Sequence, residues 1–269
     1  MSTPAIGVFD SGIGGLTVVK ELAALLPHEK FIYFGDTARA PYGSRPPAQI
    51  IDFMHQILRC FASREVKLAV YACNTMTALG LEEARNRYSF SLVGMSTGVR
   101  TALKATVNKR IGVIATQATI ASGKHGELLK LLDSEAVLYP QACPKFVPLI
   151  EQGEFTGSAI EAAALEYLAP LKAAKVDTII LGCTHYPIIS PIIKEIMGPS
   201  VNLVDPAGET AVDARDTLIR MGLKAESGAG TVRIGFSGDS LRTEELAASI
   251  LGDRKCECIQ MNLEDYVVC

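Results

Sequence analysis

Residues 6–26 read IGVFDSGIGGLTVVKELAALL, and this stretch decides the fold. Ile-Gly-Val-Phe is a short run without polar alternation, the pattern of a parallel strand buried on both faces. A polar, glycine-rich turn follows, and then Leu16, Val19, Leu22, Ala23 and Leu26 recur at helical spacing. Working outward, the same unit repeats. Strands are expected at Ala5–Phe9, Lys30–Gly35, Lys67–Ala72, Arg110–Ala115, Asp177–Gly182, Val201–Val204 and Val232–Phe236. Helices are expected at Gly15–Leu26, Pro47–Ala62, Ser158–Ala173 and Ala207–Met221, the second opened by prolines. Strand–helix alternation along the chain predicts an α/β fold with parallel sheets flanked by helices.

Composition agrees with a globular chain. It has 269 residues, 48% hydrophobic and 20% charged, with a formal net charge of −3. That suits one large or two medium domains. The weak acidity and the lack of a Lys/Arg block predict no nucleic-acid partner and no anionic membrane partner. No apolar run approaches the ~20 residues of a membrane span. The N-terminus lacks signal-peptide character, so the expected location is cytoplasmic. Cys60, Cys73, Cys143, Cys183, Cys256, Cys258 and Cys269 are odd in number and scattered, which favours reduced thiols. With His28, His55, His125 and His185 they form no metal-ligand spacing, so no metal is expected.

The chain contains a weak internal repeat. Gly7-Val8-Phe9-Asp10-Ser11 resembles Gly112-Val113-Ile114-Ala115-Thr116, 105 residues apart. Ala69-Val70-Tyr71-Ala72-Cys73-Asn74-Thr75 resembles Ile179-Ile180-Leu181-Gly182-Cys183-Thr184, 110 residues apart. Both matches run past the strand into the loop, where binding residues sit. Two related α/β halves are expected, with the late strand near Thr231–Phe236 able to return to the first sheet.

Open α/β sheets bind ligands at strand C-terminal ends. Four such ends carry chemistry. At Asp10–Gly15, counting from Gly12 puts Thr17 where a dinucleotide fingerprint needs its last glycine, although Asp36 could mimic the acidic ribose ligand. Asp10 and Ser11 suit a small polar ligand at a helix start. The second end, Arg39–Ser44, follows Asp36 and reads as a turn. At the third, Cys73-Asn74-Thr75 places a thiol before a helix N-terminus, which lowers a thiol pKa. A buried small hydrophobe is the competing reading there. At the fourth, Cys183-Thr184-His185 puts a second thiol at the matching site of the second half. Two acid/base groups on opposite faces of one carbon are what inversion of a stereocentre requires.

The segments IGVFDSGIGG (Ile6–Gly15), YFGDTARAPYG (Tyr33–Gly43), ACNT (Ala72–Thr75) and LGCTHYP (Leu181–Pro187) resemble the glutamate racemases of the aspartate/glutamate racemase superfamily. The resemblance implies two similar, pseudo-twofold related α/β domains, residues 1–94 plus 206–269 and residues 95–205, with the active site in the cleft between them. It implies cofactor-independent interconversion of L- and D-glutamate, supplying peptidoglycan synthesis. Cys73 and Cys183 are then the catalytic thiols, supported by Asp10, His185 and the auxiliary carboxylate Glu151. Asp10, Ser11, Tyr42, Gly43, Asn74, Thr75, Thr116, Thr119, Thr184 and His185 are the expected substrate-binding residues. Met76 and Thr77 depart from the smaller residues usual after the first thiol motif. A homodimer is expected, with no cofactor.

Overall fold

The computed structural model describes residues 4–238, 240–252, 254–259, 261 and 263, so Cys269 lies outside the described residues. Its strands are β1 (Ile6–Asp10), β2 (Lys30–Gly35), β3 (Leu68–Tyr71), β4 (Ser91–Val93), β5 (Arg110–Ala115), β6 (Val137–Ala142), β7 (Thr178–Gly182), β8 (Asn202–Val204), β9 (Thr231–Phe236) and β10 (Glu257–Cys258). Its helices are α1 (Leu16–Leu25), α2 (Pro47–Ser63), α3 (Asn74–Ala84), α4 (Val99–Ala105), α5 (Gln117–Ala121), α6 (Lys124–Leu132), α7 (Phe146–Glu151), α8 (Ser158–Ala173), α9 (Ser190–Met197), α10 (Ala207–Arg220) and α11 (Ser240–Leu251). The chain forms two compact units, the first from its two ends through Met95 and from Ala207, the second from Ser96–Pro206.

The first unit holds a six-stranded sheet of order β10-β9-β2-β1-β3-β4. All its pairings are parallel. The late strand β9 does return, pairing with β2 from Lys30↔Thr231 to Gly35↔Phe236. Side chains alternate between faces with period two. Phe9, Ile32, Phe34 and Tyr71 enter one cluster with Ile50, Met54, Ile57 and Phe61 of α2 and Met76 of α3. Helix α1 packs on α10 and α11. Below the sheet a buried ion pair joins Lys67 Nζ to Glu29 Oε2 at 2.6 Å. The same two side chains hold the backbone of residues 223–225, through Leu223 O at 2.7 Å and Ala225 N at 2.8 Å.

The second unit holds a four-stranded parallel sheet of order β6-β5-β7-β8. Ile111, Val113 and Ile180 pack with Val99 and Ala102 of α4 and Leu129 of α6. The strand orders of the two units coincide over β2-β1-β3-β4 and β6-β5-β7-β8. Register coincides too. Gly7 pairs with Ala69, and Gly112 pairs with Ile179, so the offsets of 105 and 110 residues seen in the sequence fall on equivalent ladder positions. The repeated glycine has one physical reason in both places. A Cβ on Gly7 would lie 2.6 Å from the Phe61 ring of α2, and one on Gly112 would lie 3.2 Å from Leu171 of α8.

Strands β4, β6 and β10 were not expected from the sequence. The first and last are three and two residues long. Strand β6 is a sheet edge with no fully buried residue and carries Pro140, which an edge position tolerates. Among the described residues no helix is long and apolar enough to cross a membrane.

Candidate active site

In the first unit the candidate residues gather at the C-terminal ends of β1, β2 and β3. Asp10 ends β1 and is fully buried. Its Oδ1 accepts the Ser11 N–H at 2.7 Å and its Oδ2 accepts the Gly15 N–H at 2.6 Å, so the carboxylate anchors the glycine turn at the start of α1. Cys73 stands two residues beyond β3 as the N-cap of α3, with extended backbone (φ −146°, ψ 116°). It is only 5% exposed, and Asn74 and Thr75 beside it are also buried. Asn74 Nδ2 is buried without a hydrogen-bond partner. An unpaired buried donor costs roughly 1–3 kcal/mol, a cost that an acceptor on a ligand would remove.

Tyr42 shares the apolar cluster with Cys73. Its hydroxyl donates to Asp36. Burial, reinforced by the Asp36 charge, holds the Tyr42 pKa well above the usual phenol value, so it stays neutral. Asp36 therefore does not sit as a ribose ligand would. It is fully buried and also accepts Arg39 Nε at 2.6 Å and Ser237 Oγ at 2.6 Å. Gly43 follows Tyr42 in the same turn.

In the second unit an imidazole–carboxylate pair stands behind the second thiol. Cys183 follows β7 and is 6% exposed. Its Sγ lies 3.7 Å from His185 Nδ1, and His185 Nε2 lies 2.5 Å from Glu151 Oε1 at the end of α7. Burial alone would lower the His185 pKa. Hydrogen bonds and charge from Cys183 and Glu151 outweigh it and hold the imidazole well above its usual pKa. Thr184 is buried between the two. Thr116 follows β5 and caps α5, accepting the Thr119 N–H at 3.3 Å and donating to Thr119 Oγ1 at 3.0 Å. Cys143 follows β6 as Asp36 follows β2. The Cys143 N–H reaches Ala115 O at 2.9 Å, and the Asp36 N–H reaches Asp10 O at 3.0 Å. Burial, with Cys183 nearby, pushes the Cys143 thiol up, so it stays protonated.

The structure thus groups Asp10, Ser11, Tyr42, Gly43, Cys73, Asn74 and Thr75 at the strand ends of one unit. It groups Thr116, Thr119, Glu151, Cys183, Thr184 and His185 at those of the other. Sequence reasoning missed the support given by Ser237 and the placing of Cys143 and Tyr186, whose hydroxyl donates to Cys143 O at 3.1 Å. Asp36 carried a signal, since it follows a buried strand. Ser237 lies two hundred residues from the group it holds and carried none. Among the described residues no group of three or more His, Cys, Asp or Glu side chains is placed to hold a metal ion.

Parallel α/β units with polar residues and a buried thiol at their strand ends are what this chain presents, and it matches the family described as Asp/Glu/Hydantoin racemase over residues 6–214. The chain belongs to this family. Over nearly its whole length it is similar to glutamate racemases. It is 40% identical over 266 residues to that of Thermoanaerobacter pseudethanolicus, covering 99% of this chain and 100% of the relative. The glutamate racemase of Francisella tularensis, solved with D-glutamate, superposes with a TM-score of 0.87 at 32% identity, over 99% of this chain and 100% of that one. The Thermus thermophilus enzyme, solved with beta-chloro-D-alanine, gives 0.83 at 36% identity, over 98% of each chain.

Proposed function

We propose that the protein interconverts L- and D-glutamate by a two-base mechanism in which Cys73 and Cys183 are the acid/base pair. The observation that carries this reading is the register. Each thiol stands two residues beyond paired positions, Phe9↔Tyr71 in one sheet and Ile114↔Leu181 in the other. The proposal requires glutamate to be held with one sulfur on each face of its α-carbon. One thiolate then takes the α-proton while the other thiol delivers its proton to the opposite face. In the reverse direction the roles exchange. The D-glutamate held by the Francisella tularensis relative supports the choice of substrate.

The α-proton is weakly acidic, so the carbanion must be stabilised as it forms. Asn74 Nδ2, buried and unpaired, is a preorganised donor for a substrate carboxylate. Ser11, Thr75, Thr116, Thr119 and Thr184 are the further polar groups assigned to substrate. His185, whose pKa is held up by its hydrogen bonds to Cys183 and Glu151, is the proton-bearing group beside the Cys183 sulfur. Asp10 fixes the turn on the Cys73 side. Both proton carriers being side chains, this chemistry calls on no pyridoxal phosphate, nucleotide or metal. The proposed setting is a cytoplasmic homodimer that feeds D-glutamate to peptidoglycan synthesis.

Racemisation of L-glutamate in D2O tests the mechanism. Product should carry deuterium at the α-carbon while unreacted L-glutamate carries little at early times. Return of the original proton to product would show a single shared base and overturn the two-thiol reading.

A further inference from the structure

We infer that Ser237 is a positioning residue for the substrate turn that carries Tyr42 and Gly43. The inference rests on the assignment of that turn to substrate. Ser237 lies just past β9, in the last part of the chain, and its backbone continues the ladder by donating to Gly35 O at 3.1 Å. Its hydroxyl does two further things at once. It donates to Asp36 Oδ1 at 2.6 Å and accepts the Ala38 N–H at 3.1 Å. The next residue adds a second stitch, with the Gly238 N–H donating to Thr37 Oγ1 at 3.0 Å.

Asp36, Thr37 and Ala38 open the turn that ends at Tyr42 and Gly43. Asp36 is a fully buried carboxylate, and a buried charge needs several donors to be tolerated. Among the described residues three side chains donate to it: Arg39 Nε on Oδ2, Tyr42 Oη on Oδ2, and Ser237 Oγ on Oδ1. The first two come from the turn itself. Ser237 supplies the side-chain donor on the other oxygen, and it comes from outside the turn. Without it the carboxylate is free to swing toward Arg39 and Tyr42, and the turn loses its tie to β9. Ser237 needs no contact with substrate to act in this way. It fixes the segment through Asp36 and Ala38.

The test compares Ser237→Ala, Ser237→Thr and Thr37→Val by steady-state racemisation of glutamate, with Tm measured alongside. Ser237→Ala should raise KM about threefold to tenfold with kcat within about twofold, the signature of lost uniform binding. Ser237→Thr keeps the hydroxyl and should stay within about twofold of the wild type in KM. Thr37→Val removes only the second stitch and should raise KM by a smaller factor than Ser237→Ala. A lowered Tm with unchanged KM in Ser237→Ala would make Ser237 merely structural and overturn the inference, as would a Ser237→Thr variant as impaired as Ser237→Ala. Failure of the wild-type protein to racemise glutamate would instead sink the function on which the inference rests.

Discussion

The two thiol corners share a backbone and differ in what stands behind the sulfur. Cys73 caps a helix of eleven residues and sits in an apolar cluster with neutral Tyr42. Cys183 leads into a short 3-10 turn, Tyr186–Ile189, and has an imidazole tied to a carboxylate at its back. Equivalent ladder positions therefore fix where each sulfur stands, while loops outside the repeat set its electrostatics. Asp10 has Ala115 as its counterpart by register, and His185 has Thr75, so neither side chain recurs at the equivalent position of the other unit. The proposed two-base mechanism needs both thiols active at the same pH, and two unlike environments can meet that need by different means.

Replacing either thiol is the harshest way to break the comparison. Cys73→Ser and Cys183→Ser should each lower racemisation at least about 10³-fold, since a hydroxyl is a far weaker acid and one general acid–base group is typically worth 10²–10⁴. Near-wild-type turnover by either variant would show that the two corners are not partners.

A second test moves to the opposite ends of the sheets. The first unit closes its base with the buried Lys67–Glu29 pair, while in the second Lys109 meets Asp133 and Glu135 in exposed surroundings. Lys67→Met strands a buried carboxylate and should cost about 3–5 kcal/mol in urea unfolding. Lys109→Met should leave the urea midpoint unchanged. Equal effects would mean that the pairs are alike despite their burial.

Glu151→Gln probes the corner that carries the imidazole–carboxylate pair. Without the carboxylate charge the His185 pKa should fall, so the imidazolium is lost at lower pH. The basic limb of the kcat/KM profile should therefore move to lower pH, with a loss of roughly tenfold near neutrality from disturbed thiolate support. An unmoved basic limb would separate His185 from the activity.

The mildest test concerns β2 and β6, the same strand in two settings. β2 lies between β1 and β9 and is buried along most of its length, whereas β6 is an edge. Val137→Thr should change stability by less than ~0.5 kcal/mol. Amides of β2 should exchange with solvent far more slowly than those of β6.

The same contrast explains what the sequence disclosed. β1, β2, β3, β5 and β7 read as strands because burial on both faces demands an unbroken apolar run. β6, Val-Leu-Tyr-Pro-Gln-Ala, is half wet and holds a proline, so its composition obeys the demands of an edge. Cys73 and Cys183 stood out as candidates because each follows such a buried run directly, but position left a buried hydrophobe as an equal reading of Cys73, and the family resemblance decided between them. The part Ser237 takes in the knot with Asp36 and Tyr42 was not legible, because a hydrogen bond spanning two hundred residues leaves no local pattern.

The placing of β9 next to β2 also bears on how the chain is made. β2 leaves the ribosome roughly two hundred residues before its partner. At about 5–20 residues per second, the nascent chain carries that apolar edge uncovered for about ten to forty seconds. Residues 96–206 are contiguous and can finish their sheet during that interval. The half that begins first is thus completed last, and its waiting edge is the point where a chaperone or a neighbouring nascent chain would first take hold.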